Sequence, residues 1–127
     1  MEEKNMPGSG RQERYIQASI LLGLHAGPSY GYELINTIQM YGFIEGPAPP
    51  GMIYRHLRQM EEDNLVRSEW ETQEAGAAKR IYTMTEEGRE VLVLWVRYME
   101  IHASKLLAFV QKYRTGGQKQ ADDGGSL

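Results

Sequence analysis

The chain has 127 residues, no cysteine and a formal net charge of −3 at neutral pH. This length fits one domain, and the lack of cysteine excludes a disulfide scaffold and a thiolate metal site. The longest apolar run, residues 91–96, is too short to span a bilayer, and the N-terminus lacks the apolar core of a signal peptide. We therefore expect a cytoplasmic protein with no membrane partner.

Polar, glycine-rich segments occupy both ends of the chain, at residues 1–11 and 115–127. They carry almost no bulky apolar side chains, so ordering them would bury too little surface to offset the entropy that is lost. We predict disordered tails there and a folded body between them.

Three helices are predicted over residues 13–26, 30–41 and 51–63, because apolar residues recur there at three- and four-residue spacing. Pro28 ends the first helix, since a proline disfavours helical backbone in the residue before it. Ser29 is predicted to cap the second helix through its hydroxyl group.

The third of these helices has an apolar face and a basic face. Pro50 suits its first turn, where the missing amide hydrogen costs no hydrogen bond, and Asn64 is predicted to end it in the left-handed conformation. The inward residues expected from helical spacing are Ile53, Leu57 and Met60. The opposite face carries Gly51, Tyr54, Arg55 and Arg58.

A β-hairpin is predicted over residues 65–71 and 79–84, where apolar and polar residues alternate. Ile81 and Thr83 are expected on the inner face of the second strand, and a segment of small residues forms the turn. Thr85 is expected to cap the helix that follows.

The last predicted helix, residues 86–114, is apolar on two sides. Such a helix must be covered on two sides, and a domain this small can cover only one of them. We expect the other side to pack against a second copy of the chain. The dimerisation residues expected on that side are Val91, Leu94, Trp95, Tyr98, Ile101 and Phe109.

Three helices, a hairpin and a long helix follow one another in the order of a winged helix-turn-helix fold. The expected fold class is mainly α with a small β-hairpin, with a DNA-binding domain over residues 12–85 and a dimerisation helix over residues 86–114. The third helix fits the major groove of double-stranded DNA, and the hairpin beside it reaches the backbone. The residues expected to contact DNA are Ser29, Tyr30, Gly51, Met52, Tyr54, Arg55, Arg58, Lys79 and Arg80.

An enzyme is not expected from this sequence. His25, His56 and His102 lie far apart, with no carboxylate at metal-ligand spacing. The chain has no recognisable set of nucleophile and base, and no glycine-rich phosphate loop of the right form. The sequence therefore predicts no catalytic residue, no metal site and no cofactor.

Five short motifs follow one another within residues 13–114. They are Leu21-Leu22-Gly23-Leu24, Pro28-Ser29-Tyr30-Gly31-Tyr32-Glu33-Leu34, Gly51-Met52-Ile53-Tyr54 with Leu57 and Met60, Glu61-Glu62-Asp63-Asn64-Leu65-Val66, and Tyr82-Thr83-Met84-Thr85-Glu86-Glu87-Gly88. In their order and spacing they resemble the PadR-like family of winged-helix transcription regulators, in its short subgroup with a single C-terminal helix.

Four positions depart from the family's usual pattern. Pro49 and Pro50 stand where the family usually has a serine or threonine, and Arg55 stands where it commonly has a proline. Asn64 stands where it usually has a glycine. The changes around the third helix bear on the choice of DNA sequence, so the family's operator sequences are not transferred to this chain.

The resemblance implies a homodimer held by the C-terminal helix, and a repressor that a small lipophilic or aromatic ligand relieves. In some members of the short subgroup, an aromatic ligand binds between the subunits beside a tryptophan of the last helix. Trp95 lies on that helix, one turn earlier than the analogy suggests. The ligand-binding residues implied are Trp95, Tyr98, Met99 and His102.

Two functions from different classes remain open at this point. The first is a DNA-binding transcription regulator. The second is a winged-helix protein-interaction module without DNA binding, which the acidic net charge and Pro49-Pro50 favour slightly. Salt dependence separates them, because binding to DNA phosphates weakens steeply as salt rises.

Overall fold

A computed structural model describes residues 13–72, 76 and 78–126, with side chains as far as residue 116. The helices are α1 (Ile16–His25), α2 (Gly31–Gln39), α3 (Pro50–Glu62) and α4 (Glu86–Ser126). The strands are β1 (Ser29–Tyr30), β2 (Val66–Thr72) and β3 (Ala78–Met84). This order confirms the predicted fold class, a mainly α winged helix-turn-helix followed by a long helix. The predicted tail over residues 1–11 lies outside the described residues.

The ends of the helices follow local chemistry, with one correction. Pro50 lies in the first turn of α3, and Asn64 beyond its end has a φ of 63°, both as predicted. Ser29 does not cap α2, whose N-cap residue is Tyr30. The side chain of Glu33 instead accepts hydrogen bonds from the Tyr30 amide at 3.0 Å and from the Ser29 hydroxyl at 3.2 Å. A carboxylate in the first helical turn thus replaces the predicted serine cap.

The sheet has one more strand than the predicted hairpin. β1 pairs antiparallel with β3, with Ser29 opposite Tyr82, so that β3 is the central strand and the strand order is β1-β3-β2. The inner face of β3 also differs from the prediction, since Tyr82 and Met84 are buried whereas Ile81 and Thr83 are only half-buried. Alternation shows which residues of a strand share a face, but it does not say which of the two faces packs against the helices.

The apolar core lies among α1, α2, α3 and the start of β2. Its largest fully buried side chains are Ile16, Ile20, Leu21, Leu34, Ile38, Ile53, Leu57, Met60 and Val66. Burial of a side chain of this size contributes about 1.5–3 kcal/mol, whereas an exposed ion pair contributes about 1 kcal/mol or less. Apolar packing therefore stabilises this part of the chain far more than its surface ion pairs do.

The junction between β3 and α4 is held against the end of α3. The Thr85 hydroxyl accepts a hydrogen bond from the Gly88 amide at 3.0 Å, which confirms Thr85 as the helix cap. The same hydroxyl donates to the Asn64 carbonyl at 2.7 Å. A Cβ atom added at Gly88 would lie 2.1 Å from the Leu65 carbonyl oxygen, so only glycine fits the close approach of these two backbones.

The chain divides into two compact units, Met1–Val93 and Leu94–Leu127, and the boundary falls within α4. Gly88 and Leu92 are buried, which explains why the first turns of the helix belong to the first unit. At its other end the helix continues to Ser126 instead of ending at residue 114 as predicted. The Thr115 hydroxyl donates to the Gln111 carbonyl at 2.8 Å, and such a bond to the residue four positions earlier is typical of threonine within a helix.

Candidate nucleic-acid interface

A groove of about 550 Å³ lies between the start of α2, the exposed face of α3 and the β2–β3 hairpin. Its lining is aromatic and basic, and it includes Tyr30, Tyr54, Arg58, Trp70, Lys79 and Arg80. Five of the nine residues predicted to contact DNA therefore lie on one surface, although they come from three separate segments of the chain.

Tyr54 stands on α3 and packs over the start of α2. A Cβ atom added at Gly31 would lie 2.5 Å from the Tyr54 ring, so the absence of a side chain at Gly31 makes room for that ring. Gly31 is buried, and Tyr54 keeps 39% of its surface exposed. The glycine of the Tyr-Gly-Tyr motif thus positions an aromatic ring of α3 at the edge of the groove.

Tyr30 and Tyr32 form a stacked pair of rings at the start of α2. Their centroids are 5.7 Å apart with an interplanar angle of 10°, and Lys79 Nζ lies 5.7 Å from the Tyr30 centroid and 5.2 Å from the Tyr32 centroid. The Tyr30 hydroxyl donates a hydrogen bond to the Glu71 carboxylate of β2. This bond raises the pKa of the Tyr30 phenol above its ordinary value.

Arg80 forms polar and aromatic contacts with residues of the hairpin and of α3. Its Nε donates to the Ser68 hydroxyl at 2.8 Å, and its guanidinium lies 3.6 Å from the Glu61 carboxylate and 5.2 Å from the Trp70 ring centroid. Ser68 in turn donates to Glu61 at 2.8 Å. This network joins β2 and β3 to the last turn of α3, so Arg80 holds the hairpin in place beside that helix.

Arg58 and Lys79 are the cations of the groove that remain available to an external anion. Within the described part of the chain, neither forms an ion pair with a carboxylate, and the Lys79 ammonium group lies over the Tyr30 and Tyr32 rings. Arg58 is exposed and lies on the face of α3 that lines the groove. These two side chains can therefore meet a phosphate or a base edge without first breaking an ion pair.

Arg55 lies outside the groove and is bound to the segment that precedes α1. Its guanidinium donates to a Glu13 oxygen at 3.1 Å, and His56 Nε2 lies 2.9 Å from the other oxygen of the same carboxylate. The hydrogen bond with His56 and the charge and hydrogen bond of Arg55 lower the pKa of Glu13 despite its partial burial. Glu13 thus partly neutralises the charge of Arg55 in the absence of a binding partner.

The remaining predicted DNA contacts fall in different environments. Gly51 is exposed, with nothing within 4 Å of an added Cβ atom. Met52 is only 8% exposed and belongs to the core, so its assignment to the DNA-contacting face was wrong. Its position one residue after Gly51 turns its side chain toward the apolar face of α3. The Ser29 hydroxyl and the Tyr30 amide are already engaged by Glu33.

Several residues in the groove or bonded to the predicted contacts were not found by reasoning from sequence. Tyr32 and Trp70 contribute aromatic surface, and Glu13, Glu61 and Glu71 hold the basic and phenolic side chains. The Tyr-Gly-Tyr motif could have indicated Tyr32. Tyr30 precedes the helix, so its ring can reach the ring of Tyr32 two residues later. The three carboxylates gave no signal, since each meets a partner that is distant in sequence.

The second unit carries the predicted ligand residues and all the predicted dimerisation residues except Val91, which is half-buried in the first unit. Trp95, Tyr98 and His102 form a row, in which the Trp95 and Tyr98 rings meet edge to face with centroids 6.0 Å apart and Tyr98 stacks on His102 at 5.7 Å. Met99 is half-buried. The large apolar side chains of this unit that are exposed are Leu94, Val96, Tyr98, Ile101, Leu106, Leu107, Phe109, Val110 and Tyr113.

No cluster of histidine, cysteine, aspartate or glutamate in the described ranges could hold a metal ion. Among those same residues, no helix is both long enough and apolar enough to cross a membrane.

A helix with an exposed basic and aromatic face, preceded by two helices and flanked by a hairpin, defines the class of winged helix-turn-helix proteins. The model of the family described as "Transcriptional regulator PadR-like family" matches residues 20–93, more than half of the chain. The chain belongs to this family and is a transcription regulator, not an enzyme. The resemblance drawn from its five motifs is confirmed.

Individual relatives agree with this assignment. A probable transcriptional regulator of Mycobacterium tuberculosis is 33% identical over 78 residues, which is 61% of this chain and 41% of that protein's length. A PadR family transcription regulator from Clostridium difficile is 24% identical, with a TM-score of 0.67 over 76% of this chain and 98% of that chain. PadR of Bacillus subtilis, crystallised with operator DNA, is 23% identical, with a TM-score of 0.58 over 65% of this chain and 47% of that chain. The two structural likenesses show the fold.

Proposed function

We propose that this transcription regulator binds DNA in a sequence-specific manner, as a cytoplasmic homodimeric repressor that a small lipophilic or aromatic ligand releases from DNA. In this proposal residues 12–85 form the DNA-binding domain and residues 86–114 the dimerisation helix. The crystallisation of Bacillus subtilis PadR with operator DNA supports the choice of partner.

The observation that carries the proposal is the exposed face of α3 beside the hairpin. Arg58 can donate to a guanine edge or a phosphate, and Lys79 can meet a phosphate from the hairpin side. Tyr54 adds a hydroxyl group at the same edge, while Gly51 lets a DNA backbone approach the start of α3 without a side chain in between. Arg80 supports these contacts by fixing the hairpin.

Arg55 and the pair of Ser29 and Tyr30 take a smaller part in this proposal. Arg55 reaches a phosphate only if it leaves Glu13, and the donors at Ser29 and Tyr30 reach one only if Glu33 releases them. Each DNA contact would then replace an existing charge-assisted hydrogen bond, so the net gain in binding free energy is smaller. Arg58 and Lys79 are therefore the residues to test first.

The experiment is a mobility-shift titration on the DNA upstream of the chain's own gene, at low and at physiological salt, beside a scrambled duplex. We expect specific binding that weakens with salt. Arg58→Gln should reduce the slope of log affinity against log salt by about 0.9 if Arg58 contacts a phosphate. Arg97→Gln, which removes the same charge from an exposed position of α4, should leave the slope unchanged.

Dimerisation and ligand release rest on α4. The exposed apolar side chains from Leu94 onward support a partner copy, because a surface this apolar is rarely left in water. The row formed by Trp95, Tyr98 and His102 supports an aromatic ligand, since each ring offers a stacking surface. Titrating naphthalene derivatives into the protein–DNA complex tests the release step, and an unchanged DNA affinity would contradict it.

A second candidate is a protein-interaction module that has lost DNA binding. The observation in its favour is that two of the predicted basic contacts, Arg55 and Arg80, are matched by carboxylates on a chain whose net charge is −3. The titration above decides between the two, because a protein partner held by apolar contacts gives no steep salt dependence and the duplex would not bind at either salt.

A further inference from the structure

We propose that Glu13 is an internal competitor of DNA phosphate. Its carboxylate occupies Arg55, a cation on the exposed face of α3, and so prevents one phosphate contact from forming. The segment that precedes α1 then limits the affinity of the chain for DNA without changing its choice of sequence. Because the competitor acts on DNA binding, this inference rests on the proposed function.

Arg55 belongs to the exposed face of α3 by its position on the helix. It lies three residues before Arg58, so the two are neighbours on the helix surface, about 60° apart around the axis. The exposed Gly51 lies one turn before it on the same side. The Arg55 side chain keeps 55% of its surface exposed even while it is bonded to Glu13. A duplex that Arg58 contacts is therefore within reach of the Arg55 guanidinium as well.

Glu13 meets that guanidinium as a phosphate would. Arg55 donates to one carboxylate oxygen at 3.1 Å, which is the charge-assisted contact that arginine also forms with phosphate oxygens. A phosphate at the same guanidinium would stand close to the Glu13 charge, and two anions at this separation repel each other. The guanidinium thus serves one of the two anions at a time.

A second partner keeps the Glu13 carboxylate in place. His56 Nε2 lies 2.9 Å from the other carboxylate oxygen, and the His56 side chain is only 14% exposed. The hydrogen bond with His56, followed by the contacts with Arg55, lowers the pKa of Glu13 and so favours its charged form. If Glu13 gives way it loses the contacts of both oxygens, whereas the incoming phosphate gains mainly the exposed guanidinium. The carboxylate therefore stays on Arg55 when DNA binds.

The two arginines of this face consequently differ in what they contribute. Within the described residues, Arg58 forms no ion pair with a carboxylate, whereas Arg55 forms one with Glu13. Arg58 is thus able to add to the salt dependence of DNA binding in the unaltered chain. Arg55 adds to it only after the charge of Glu13 has been removed.

The test is Glu13→Gln in the full chain, titrated by mobility shift over a series of salt concentrations on the upstream and the scrambled duplex. We expect binding about threefold tighter than that of the unaltered chain, since a single exposed ion pair is exchanged. The slope of log affinity against log salt should steepen by about 0.9, the value for one more phosphate contact. The gain should be equal on both duplexes, because a phosphate contact carries no sequence information.

Two further variants locate the effect. Glu45→Gln removes the same charge from an exposed position of the α2–α3 loop and should change neither affinity nor slope. Adding Arg55→Gln to Glu13→Gln should abolish the gain. A gain that survives in this double variant, or that Glu45→Gln reproduces, would indicate general charge removal and overturn the competition. A gain confined to the upstream duplex would mean that Arg55 reads a base, and it would overturn the phosphate assignment.

A purely structural role of Glu13 predicts the opposite sign. Glu13→Gln loses the ion pair that joins the segment before α1 to α3, so a role in positioning α3 would make DNA binding weaker. Weaker binding, or equal affinity and slope in the two proteins, would overturn this inference and leave the proposed function standing. If neither protein binds any duplex, the proposed function itself fails and the competition fails with it.

Discussion

Gly88 and Gly51 show how differently two glycines of one chain are constrained. A Cβ atom at Gly88 would meet the Leu65 backbone carbonyl at 2.1 Å, whereas one at Gly51 would meet nothing within 4 Å. We expect Gly88→Ala to lower the free energy of unfolding by about 1–3 kcal/mol or more, because a backbone atom cannot give way as a side chain can.

The measurement is urea unfolding followed by circular dichroism. Gly51→Ala is the control, and it should leave stability unchanged or raise it by up to about 1 kcal/mol, since alanine is the better helix former. Equal effects of the two substitutions would contradict the steric explanation of Gly88.

Glu13 makes stability depend on pH through its bonds with Arg55 and His56. Its pKa is lowered from the ordinary value of 4.5 in the folded chain, so its stabilising contribution is fully present above that value and is lost as the pH falls through the lower, folded one. We expect Glu13→Gln to destabilise the chain by about 1 kcal/mol or less at neutral pH, and the difference from the unaltered chain to shrink in acid.

Urea midpoints at neutral pH and at about pH 3.5 check this expectation. Glu45→Gln, at an exposed glutamate of the α2–α3 loop, serves as the control and should show no such change. A difference that stays constant between the two pH values would mean that the charge of Glu13 is not what stabilises the contact.

At the scale of elements, the start of α4 depends on one hydroxyl group. Thr85 accepts from the Gly88 amide and donates to the Asn64 carbonyl, so it joins α4 to the chain segment that ends α3. We expect Thr85→Ala to cost about 1–2 kcal/mol of unfolding free energy, as the loss of a helix cap typically does.

Thr85→Ser keeps the hydroxyl group and should recover most of that loss in the same thermal or urea unfolding measurement. If serine were as destabilising as alanine, the methyl group of this buried threonine would be the stabilising part and the hydrogen bonds would not be.

At the scale of the whole molecule, the proposed dimer requires the apolar side of α4. Phe109 is 75% exposed, and Gln111 lies about 200° around the helix from it. We expect Phe109→Glu to convert a dimer into a monomer in sedimentation equilibrium, because a carboxylate in an apolar interface is left without a partner.

Gln111→Glu adds the same charge on the other side of α4 and should leave the dimer intact. Dissociation by both variants would point to charge repulsion in general, and a monomer in the unaltered chain would overturn the proposed dimer itself.

The sequence by itself determined the elements of this protein. Helical spacing of apolar residues located α1, α2 and α3 to within a few residues, and Asn64 and Thr85 marked the end of one helix and the start of another. These features depend on the residue itself and on near neighbours in the chain, so they can be read without knowing the fold. The order of the elements was enough to predict the class of protein.

Only the tertiary structure decided how the site is built. Three contacts join residues that are distant along the chain. They are the pairing of β1 with β3, the ion pair of Arg55 with Glu13 and the ion pair of Arg80 with Glu61. Met52 was expected among the DNA contacts, but its side chain packs in the core. Which cations remain available to a partner depends on where the carboxylates lie in space, and no periodicity in the sequence records that.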